Sequence, residues 1–259
     1  MGAAAAALHP RCAGEIHQAR RFGIRRRGAD LSGGGLGGGG GASVLVIGAG
    51  PGIGRSVARR FAAAGHPVGV IARSQATIDA LLVDLPDTAA GARADVADAD
   101  ALRTAVDDLL ERLGVPELVV YNAGVIRTDT IDDLDAQTLL DTYAVNVGGA
   151  VTTAATVLDR MGQAGGGRFL LTAGMPHPLP ALTSLSLGKA GVRALAELLD
   201  TGHRDHGVRC ATVTVCGPVA PGTRYDPDLI AETYADLHHR ADADWVTDVR
   251  FGDPADAAG

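Results

Sequence analysis

The chain is poor in aromatic residues, which supply only 3% of its 259 positions. Hydrophobic residues still reach 46%, so a core has to be built mainly from Ala, Val, Leu and Ile. Strands buried on both faces have this aliphatic character, and they occur in parallel sheets covered by helices. The composition and the length therefore favour a single α/β domain.

Cysteine is also scarce. Cys12, Cys210 and Cys216 are scattered along the chain and form neither a disulfide framework nor a metal-binding pattern. We therefore expect reduced thiols and a cytoplasmic location, and we interpret Cys216 as a small buried residue. No group of His, Cys or carboxylate residues has the spacing of a zinc site, so the sequence predicts no metal.

Long apolar runs and an excess of basic residues are absent as well. No run approaches the roughly 18 apolar residues of a membrane span, so we expect no membrane partner. The net charge is −7, and residues 1–43 carry six arginines against Glu15 and Asp30, which leaves about −11 for the rest. An acidic body argues against a nucleic-acid partner, because such binding needs a basic face.

The first 43 residues lack the pattern of a folded segment. Positions 33–41 are glycine throughout except for Leu36, and glycine at that density cannot offset its ordering entropy. The segment also lacks the apolar core and cleavage site of a secretion signal. We predict a disordered extension over 1–43, or a start codon placed too early, followed by one folded domain over 44–252.

From Ser43 onward, short apolar runs alternate with longer runs of helical periodicity. The predicted strands are Val44–Ile47, Val68–Ala72, Ala92–Ala94, Leu118–Tyr121, Phe169–Thr172, Val208–Val215 and Trp245–Phe251. The predicted helices are Ile53–Ala64, Gln75–Leu85, Ala99–Leu113, Ala136–Met161, Ser184–Asp200 and Pro227–Arg240. This alternation predicts right-handed crossovers and a Rossmann-like, doubly wound parallel sheet.

A glycine-rich turn closes the first predicted strand and opens the first predicted helix. Glycines let such a turn approach a pyrophosphate closely, and the helix N-terminus supplies free N–H groups and a partial positive charge. The alternative is a glycine-rich turn with no ligand. We predict a dinucleotide site whose contacts are Gly48, Gly50, Gly52, Ile53 and Gly54.

The spacing Gly48-x-x-x-Gly52-x-Gly54 resembles the short-chain dehydrogenase/reductase family, and further segments agree with it. The matching residues are Asp95-Val96 (the adenine pair), Asn122-Ala123-Gly124 (the N-A-G segment), Asn146 (the central-helix asparagine) and Lys189 (the active-site lysine). The resemblance covers roughly Ser43 to Thr223.

This resemblance implies a nicotinamide cofactor and a small-molecule substrate. It also implies a homodimer or homotetramer formed through Ala136–Met161 and Ser184–Asp200. Pro218 and Val219, which lie in the segment that follows the sixth strand, are further expected cofactor contacts.

The end of the second strand indicates which dinucleotide binds. A carboxylate there would bind the ribose 2′-hydroxyl and repel a 2′-phosphate. This chain has Ala72-Arg73-Ser74 instead, and a guanidinium pairs well with phosphate. Arg73 and Ser74 therefore favour NADP over NAD, the alternative being an arginine that simply faces solvent.

Two groups of the family's catalytic tetrad are missing. The family has a tyrosine four residues before its lysine, and this chain has Leu185 there; Leu182 stands seven residues before Lys189. The family's serine pair falls near Thr172-Ala173-Gly174, where no serine occurs. Asn146 and Lys189 remain, and Lys189 is the only lysine in a chain whose other basic residues are 22 arginines.

Another donor could replace the tyrosine. Candidate hydroxyls and imidazoles are Thr172, His177, Ser184, Ser186 and Tyr225, of which His177 and Tyr225 titrate most usefully. Each could equally be an ordinary loop or capping residue. The predicted catalytic set is therefore Lys189, Asn146, Thr172, His177 and Tyr225.

Two classes of function remain open. The first is an NADP-dependent oxidoreductase that acts on a small carbonyl, alcohol or imine through an atypical active site. The second is a non-redox enzyme (a dehydratase, cyclase or isomerase) or a catalytically inactive dinucleotide-binding protein, because a fold does not fix a function.

Overall fold

The computed structural model describes residues 42–253. The extension predicted for residues 1–43 therefore lies outside the described residues, apart from Ala42 and Ser43. Within 42–253, no helix is both long enough and apolar enough to cross a membrane.

Strands and helices alternate along the whole described segment. The strands are β1 (Val44–Ile47), β2 (Val68–Ala72), β3 (Ala90–Arg93), β4 (Leu118–Tyr121), β5 (Gly167–Gly174), β6 (Val208–Val215) and β7 (Asp248–Phe251). The helices are α1 (Ile53–Ala63), α2 (Gln75–Leu82), α3 (Ala99–Leu113), α4 (Ala136–Tyr143), α5 (Gly149–Gln163), α6 (Thr183–His203) and α7 (Pro227–His238).

The seven strands form one parallel sheet in the order β3-β2-β1-β4-β5-β6-β7. The predicted doubly wound fold is confirmed. The order reverses between β1 and β4, and in such sheets ligands bind at the carboxyl ends of the strands beside that reversal. One predicted helix differs, because Ala136–Met161 is interrupted by a π-helical turn at Ala144–Gly148 between α4 and α5.

Two apolar layers cover the sheet, one on each face. On one face, α1 and α7 pack around Phe61 and Tyr234; on the other, α3, α5 and α6 pack around Phe169 and Met161. All four side chains are buried. Cys216 is also buried, in agreement with its interpretation as a small core residue.

Helix α7 is anchored to the sheet and to α1. It packs against α1 and β6, and residues 216–226 separate it from β6. The Tyr234 hydroxyl lies 2.6 Å from Thr172 Oγ1 in the interior, which fixes the helix to β5.

A buried ion pair joins the end of α6 to the start of β6. Asp200 accepts from Arg209 Nε at 2.9 Å, from Arg209 Nη2 at 3.1 Å and from Cys210 N at 3.0 Å. Burial acts to raise the pKa of Asp200, but these hydrogen bonds and the nearby positive charge hold it below its ordinary value. The carboxylate is therefore ionised at neutral pH.

Removing this carboxylate should destabilise the fold strongly. Asp200→Ala leaves a buried guanidinium without its partner, which typically costs about 3–5 kcal/mol of unfolding free energy. Urea denaturation followed by circular dichroism measures the loss. The exposed Asp159→Ala is the control, with a change within about 0.5 kcal/mol. Equal midpoints for the two variants would contradict this assignment.

Candidate active site and cofactor cleft

The glycine-rich turn is packed tightly on its inner side. Gly48 has a φ of +81°, and a Cβ added there would lie 2.4 Å from Ala123 N. A Cβ at Gly54 would lie 2.6 Å from Gly48 O. Asn122 Nδ2 donates to Gly48 O at 2.8 Å and so fixes the turn to the end of β4. These contacts require glycine at 48 and 54.

The outer side of the same turn is open. A Cβ added at Gly50 or at Gly52 would meet no atom within 4 Å. Gly52 is the N-cap of α1, and neither a side-chain cap nor an acidic residue occupies that helix start. The turn therefore offers space and main-chain donors, including those of Ile53 and Gly54, for an anionic group.

Polar residues continue along the carboxyl edge of the sheet toward β3. Arg73 follows β2 and is exposed, and Ser74 caps α2 by accepting from Thr77 N at 3.2 Å. Asp95 is exposed and accepts from Ala97 N at 3.0 Å, whereas Val96 is buried. The structure thus brings the residues predicted for the adenosine half of the cofactor to one edge.

The π-helical turn positions Asn146. This side chain is fully buried, and its Oδ1 accepts from Val125 N at 2.7 Å. Tyr121, at a position where the family often has asparagine, donates its hydroxyl to Val145 O at 2.5 Å within the same turn. Such π-helical turns occur often at functional sites. The sequence pattern did not reveal this one, because the apolar periodicity continues through it.

Lys189 meets Asn146 at Gly124. A Cβ added at Gly124 would lie 3.4 Å from Asn146 Oδ1 and 3.5 Å from Lys189 Nζ. Lys189 is only 8% exposed, and its Nζ donates to Thr172 O at 2.8 Å. Burial, and secondarily the charge of Arg193, lowers the pKa of Lys189 to about 8. These three motif residues therefore form one cluster.

Arg193 is a member of this region that sequence reasoning missed. It follows Lys189 by one helical turn, and its Nη1 donates to Gly174 O at 2.8 Å. Gly174 ends β5 at the position where the family has serine. The only signal in the sequence was the four-residue spacing from Lys189, which places both side chains on one face of α6.

The structure corrects the prediction that the Thr172 hydroxyl is a proton donor near Lys189. Side chains alternate along β5, so that Leu171 and Ala173 enter the layer shared with α6, while Thr172 points to the opposite layer. There its hydroxyl contacts Tyr234. Only the main-chain carbonyl of Thr172 meets Lys189.

Tyr225 also requires a correction. Its side chain is 3% exposed and belongs to the core beside α7. The ring packs directly on Gly217 and Gly252, and it contacts Phe251 edge-on at 6.0 Å between centroids. These contacts make Tyr225 an anchor of the loop after β6, and its burial argues against a role as proton donor.

The remaining predicted residues lie in loops at the carboxyl ends of β5 and β6. His177 is exposed in the loop after β5, and Pro218 and Val219 are exposed just after β6. Their predicted roles stay predictions, because no contact of theirs with the Lys189 cluster is present among the described residues.

The position of the family's tyrosine is apolar. Leu185 is buried, and the serines beside it are already engaged: Ser184 donates to Asp129 Oδ2 at 2.5 Å, and Ser186 Oγ accepts from Leu179 N at 3.1 Å. Burial acts to raise the pKa of Asp129, but the hydrogen bonds from Ser184 outweigh it and lower the pKa. Asp129, which sequence reasoning missed, ties the loop after β4 to the start of α6.

The lowered pKa of Lys189 should be visible directly. Lysine labelled with ¹³C at Cε gives a single side-chain signal, because the chain has one lysine. In the cofactor-free protein we expect this signal to titrate with a midpoint of about 8, against an ordinary value of 10.5. Lys189→Arg, which loses the signal, confirms its assignment.

The sign of the accompanying stability change follows from linkage. Between about pH 8 and 10.5 the unfolded chain holds a proton on this lysine that the folded chain has lost, so this group makes the protein more stable as the pH rises. A midpoint near 10.5 would show that Lys189 is solvated and would contradict the buried cluster.

Comparisons with known proteins identify the family of the chain. The family profile described as short chain dehydrogenase matches residues 42–227. D-threitol dehydrogenase of Mycolicibacterium smegmatis is 30% identical over 179 residues, which cover 67% of this chain and 69% of that protein. The oxidoreductase asL5 of Sarocladium schorii is 29% identical over 197 residues, covering 74% and 77% respectively.

Solved structures share the fold. A short-chain dehydrogenase from Streptomyces avermitilis has a TM-score of 0.76 at 22% identity, covering 83% of this chain and 89% of that one. A metagenomic short-chain oxidoreductase in complex with NADP has a TM-score of 0.72 at 23% identity, covering 81% and 97%. Because the family profile spans β1 through β6 and the start of α7, the chain belongs to the short-chain dehydrogenase family.

Proposed function

We propose that this protein is an NADP-dependent oxidoreductase that acts on a small carbonyl, alcohol or imine. One observation carries the proposal: the only lysine of the chain is buried beside Asn146 and Gly124, at the sheet edge where the glycine turn is open on its outer side. A surface charge in this chain would be arginine, so a lone buried lysine indicates a need for a compact ammonium group.

The cleft fits a dinucleotide. The space outside Gly50 and Gly52 is open, and the uncapped start of α1 would supply N–H donors for the pyrophosphate. When bound, the nicotinamide supplies or accepts a hydride at its C4, and the protein supplies binding, orientation and electrostatics.

The choice of NADP is supported by the end of β2. Arg73 is exposed there, and Ser74 with the start of α2 adds polar groups without a carboxylate. A guanidinium favours a 2′-phosphate, which an acidic residue would repel. NAD is the less favoured cofactor.

The proposed role of Lys189 and Asn146 is to bind and orient the cofactor, and each is held in place by a main-chain group. Thr172 O holds the lysine ammonium at the cleft floor, where it can bind the nicotinamide ribose, and at pH 7 a pKa of about 8 leaves it mostly charged. Asn146 is held by Val125 N and lines the same space.

Proton transfer is the step in which this site departs from its family. Leu185 cannot donate a proton, and a positioned acid contributes about 10²–10⁴-fold to a rate. Solvent water, or the exposed His177 in the loop after β5, would supply the proton for a carbonyl. An iminium carbon accepts hydride without a proton donor, which is why imines belong to the proposed substrate class.

The missing tyrosine and serine also support a second candidate function. An apolar residue at the tyrosine position and glycine at the serine position suit a non-redox enzyme (a dehydratase, cyclase or isomerase) or an inactive dinucleotide-binding protein. The two candidates differ in whether the bound dinucleotide changes its redox state.

Self-association and a cytoplasmic location complete the proposal. Helices α4, α5 and α6 expose the apolar side chains of Leu140, Val151, Leu187 and Leu198, which suits a homodimer or homotetramer. Cys210 and Cys216 are buried in the core, which suits a reducing compartment.

Calorimetric titration with NADPH and with NADH tests cofactor choice. We expect wild-type protein to prefer NADPH, and Arg73→Glu to weaken NADPH binding at least tenfold, or about 1.4 kcal/mol, with little change for NADH. Arg59→Glu, an equal charge change on the exposed side of α1, is the matched control. If neither NADPH nor NADH binds, the oxidoreductase proposal is wrong.

A tyrosine placed at position 185 tests whether the missing proton donor limits the rate. Leu185→Tyr should raise kcat for NADPH-dependent reduction of a carbonyl panel at least tenfold, because a positioned acid is worth about 10²–10⁴-fold. Leu185→Phe has the same ring without the hydroxyl and should give no gain. If both variants behave alike, proton donation at this position does not limit the reaction.

A further inference from the structure

A cluster of two histidines and one glutamate lies at the amino ends of the strands, opposite the cofactor cleft. His66 precedes β2, Glu117 precedes β4, and His238 ends α7. One ligand atom from each lies within 4.8 Å of the others. The sequence predicted no metal site from local spacing, but these three residues are far apart in the chain and only the fold brings them together.

The distances suit a small divalent ion. His66 Nδ1 lies 3.0 Å from Glu117 Oε1, and His238 Nε2 lies 3.6 Å from the same oxygen. Bonds of 2.0–2.1 Å in a tetrahedral zinc site place neighbouring ligand atoms about 3.3 Å apart. The spacing therefore needs only small adjustments of side chains to hold an ion.

His238 presents its Nε2 to Glu117 without bonding to it. The side chain is only 10% exposed, and Nε2 lies 3.6 Å from Glu117 Oε1, which is too far for a hydrogen bond. This nitrogen is the ligand atom that His238 offers on the side of Glu117, and a metal ion binds it in the neutral form of the ring.

The surroundings hold the ligands without blocking entry. Phe61 packs edge-on against both imidazoles at 5.6 Å, and the Arg168 guanidinium nearby is neutralised by Asp242 at 2.8 Å. Glu117 is one-third exposed, which leaves a path from solvent. His66 Nδ1 also makes a hydrogen bond of 3.0 Å with the carbonyl oxygen of Ala42, and an ion bound to Nδ1 would replace the proton of that bond and lie beside the carbonyl.

We propose that His66, Glu117 and His238 form a binding site for Zn²⁺ or a similar divalent transition metal. Two imidazoles and one carboxylate favour this class over Mg²⁺ and Ca²⁺, which take oxygen ligands. Water or the Ala42 carbonyl fills the fourth position. The ion would join the end of α7 to the starts of β2 and β4, and its role is structural because the cofactor cleft lies at the other edge.

Zinc titration of chelator-stripped, full-length protein tests the site. Wild-type protein should bind Zn²⁺ at this site, and His66→Gln and His238→Gln should each weaken the affinity at least tenfold. At a free Zn²⁺ concentration about 100 times the wild-type Kd, the thermal midpoint of wild type should rise by about 5–10 °C, and that of a variant with tenfold weaker affinity by about half as much or less. Co²⁺ in the same site should show the visible absorption of a four-coordinate ion.

The control is His206→Gln, which removes an exposed histidine outside the cluster and should keep wild-type zinc binding. All of the variants contain the same histidines and cysteine in residues 1–41. Zinc binding to that segment therefore cannot cause a difference between them. NADPH affinity should be equal in all variants, which shows that they are folded and separates this test from that of the proposed function. Zinc affinity equal in wild type, His66→Gln and His238→Gln, or no binding by wild type at micromolar zinc, would overturn the proposal.

Discussion

The close approach of the Gly48 turn to the end of β4 is the contact on which the rest of the site depends. With no side chain at Gly48, Ala123 can sit against the turn, and Asn122 can hold its carbonyl at 2.8 Å. The backbone then continues into Gly124, where a Cβ would lie 3.4 Å from Asn146 Oδ1 and 3.5 Å from Lys189 Nζ. One backbone contact at the reversal of strand order therefore joins the glycine turn to the segment that lies beside Asn146 and Lys189.

The candidate site keeps the lysine and asparagine of the family's tetrad and lacks a hydroxyl at the tyrosine and serine positions. Its charged groups, Lys189 and Arg193, are both fixed to carbonyls of β5 by hydrogen bonds of 2.8 Å. Leu185, at the tyrosine position, is buried. In the proposed function, this set would suit hydride transfer to a carbon that needs little help from an acid.

Features set by local sequence were predictable, and features set by packing between distant elements were not. The strands, the glycine turn and the Lys189 motif follow from periodicity and spacing, which one segment carries by itself. The direction of the Thr172 hydroxyl depends on which layer faces its strand, and the burial of Tyr225 depends on Gly217 and Gly252. The cluster at Glu117 needs three elements to meet, so no spacing could reveal it.

The most direct test of the account is the fate of deuterium carried at C4 of NADPH, one C4 face labelled at a time. Protein incubated with labelled NADPH and a panel of small carbonyls and imines should give at least one product in which deuterium is bound to the former carbonyl or imine carbon, and Lys189→Met should slow that transfer strongly. Substrate conversion that leaves the dinucleotide reduced and labelled would contradict the oxidoreductase assignment and identify a non-redox enzyme on the same fold.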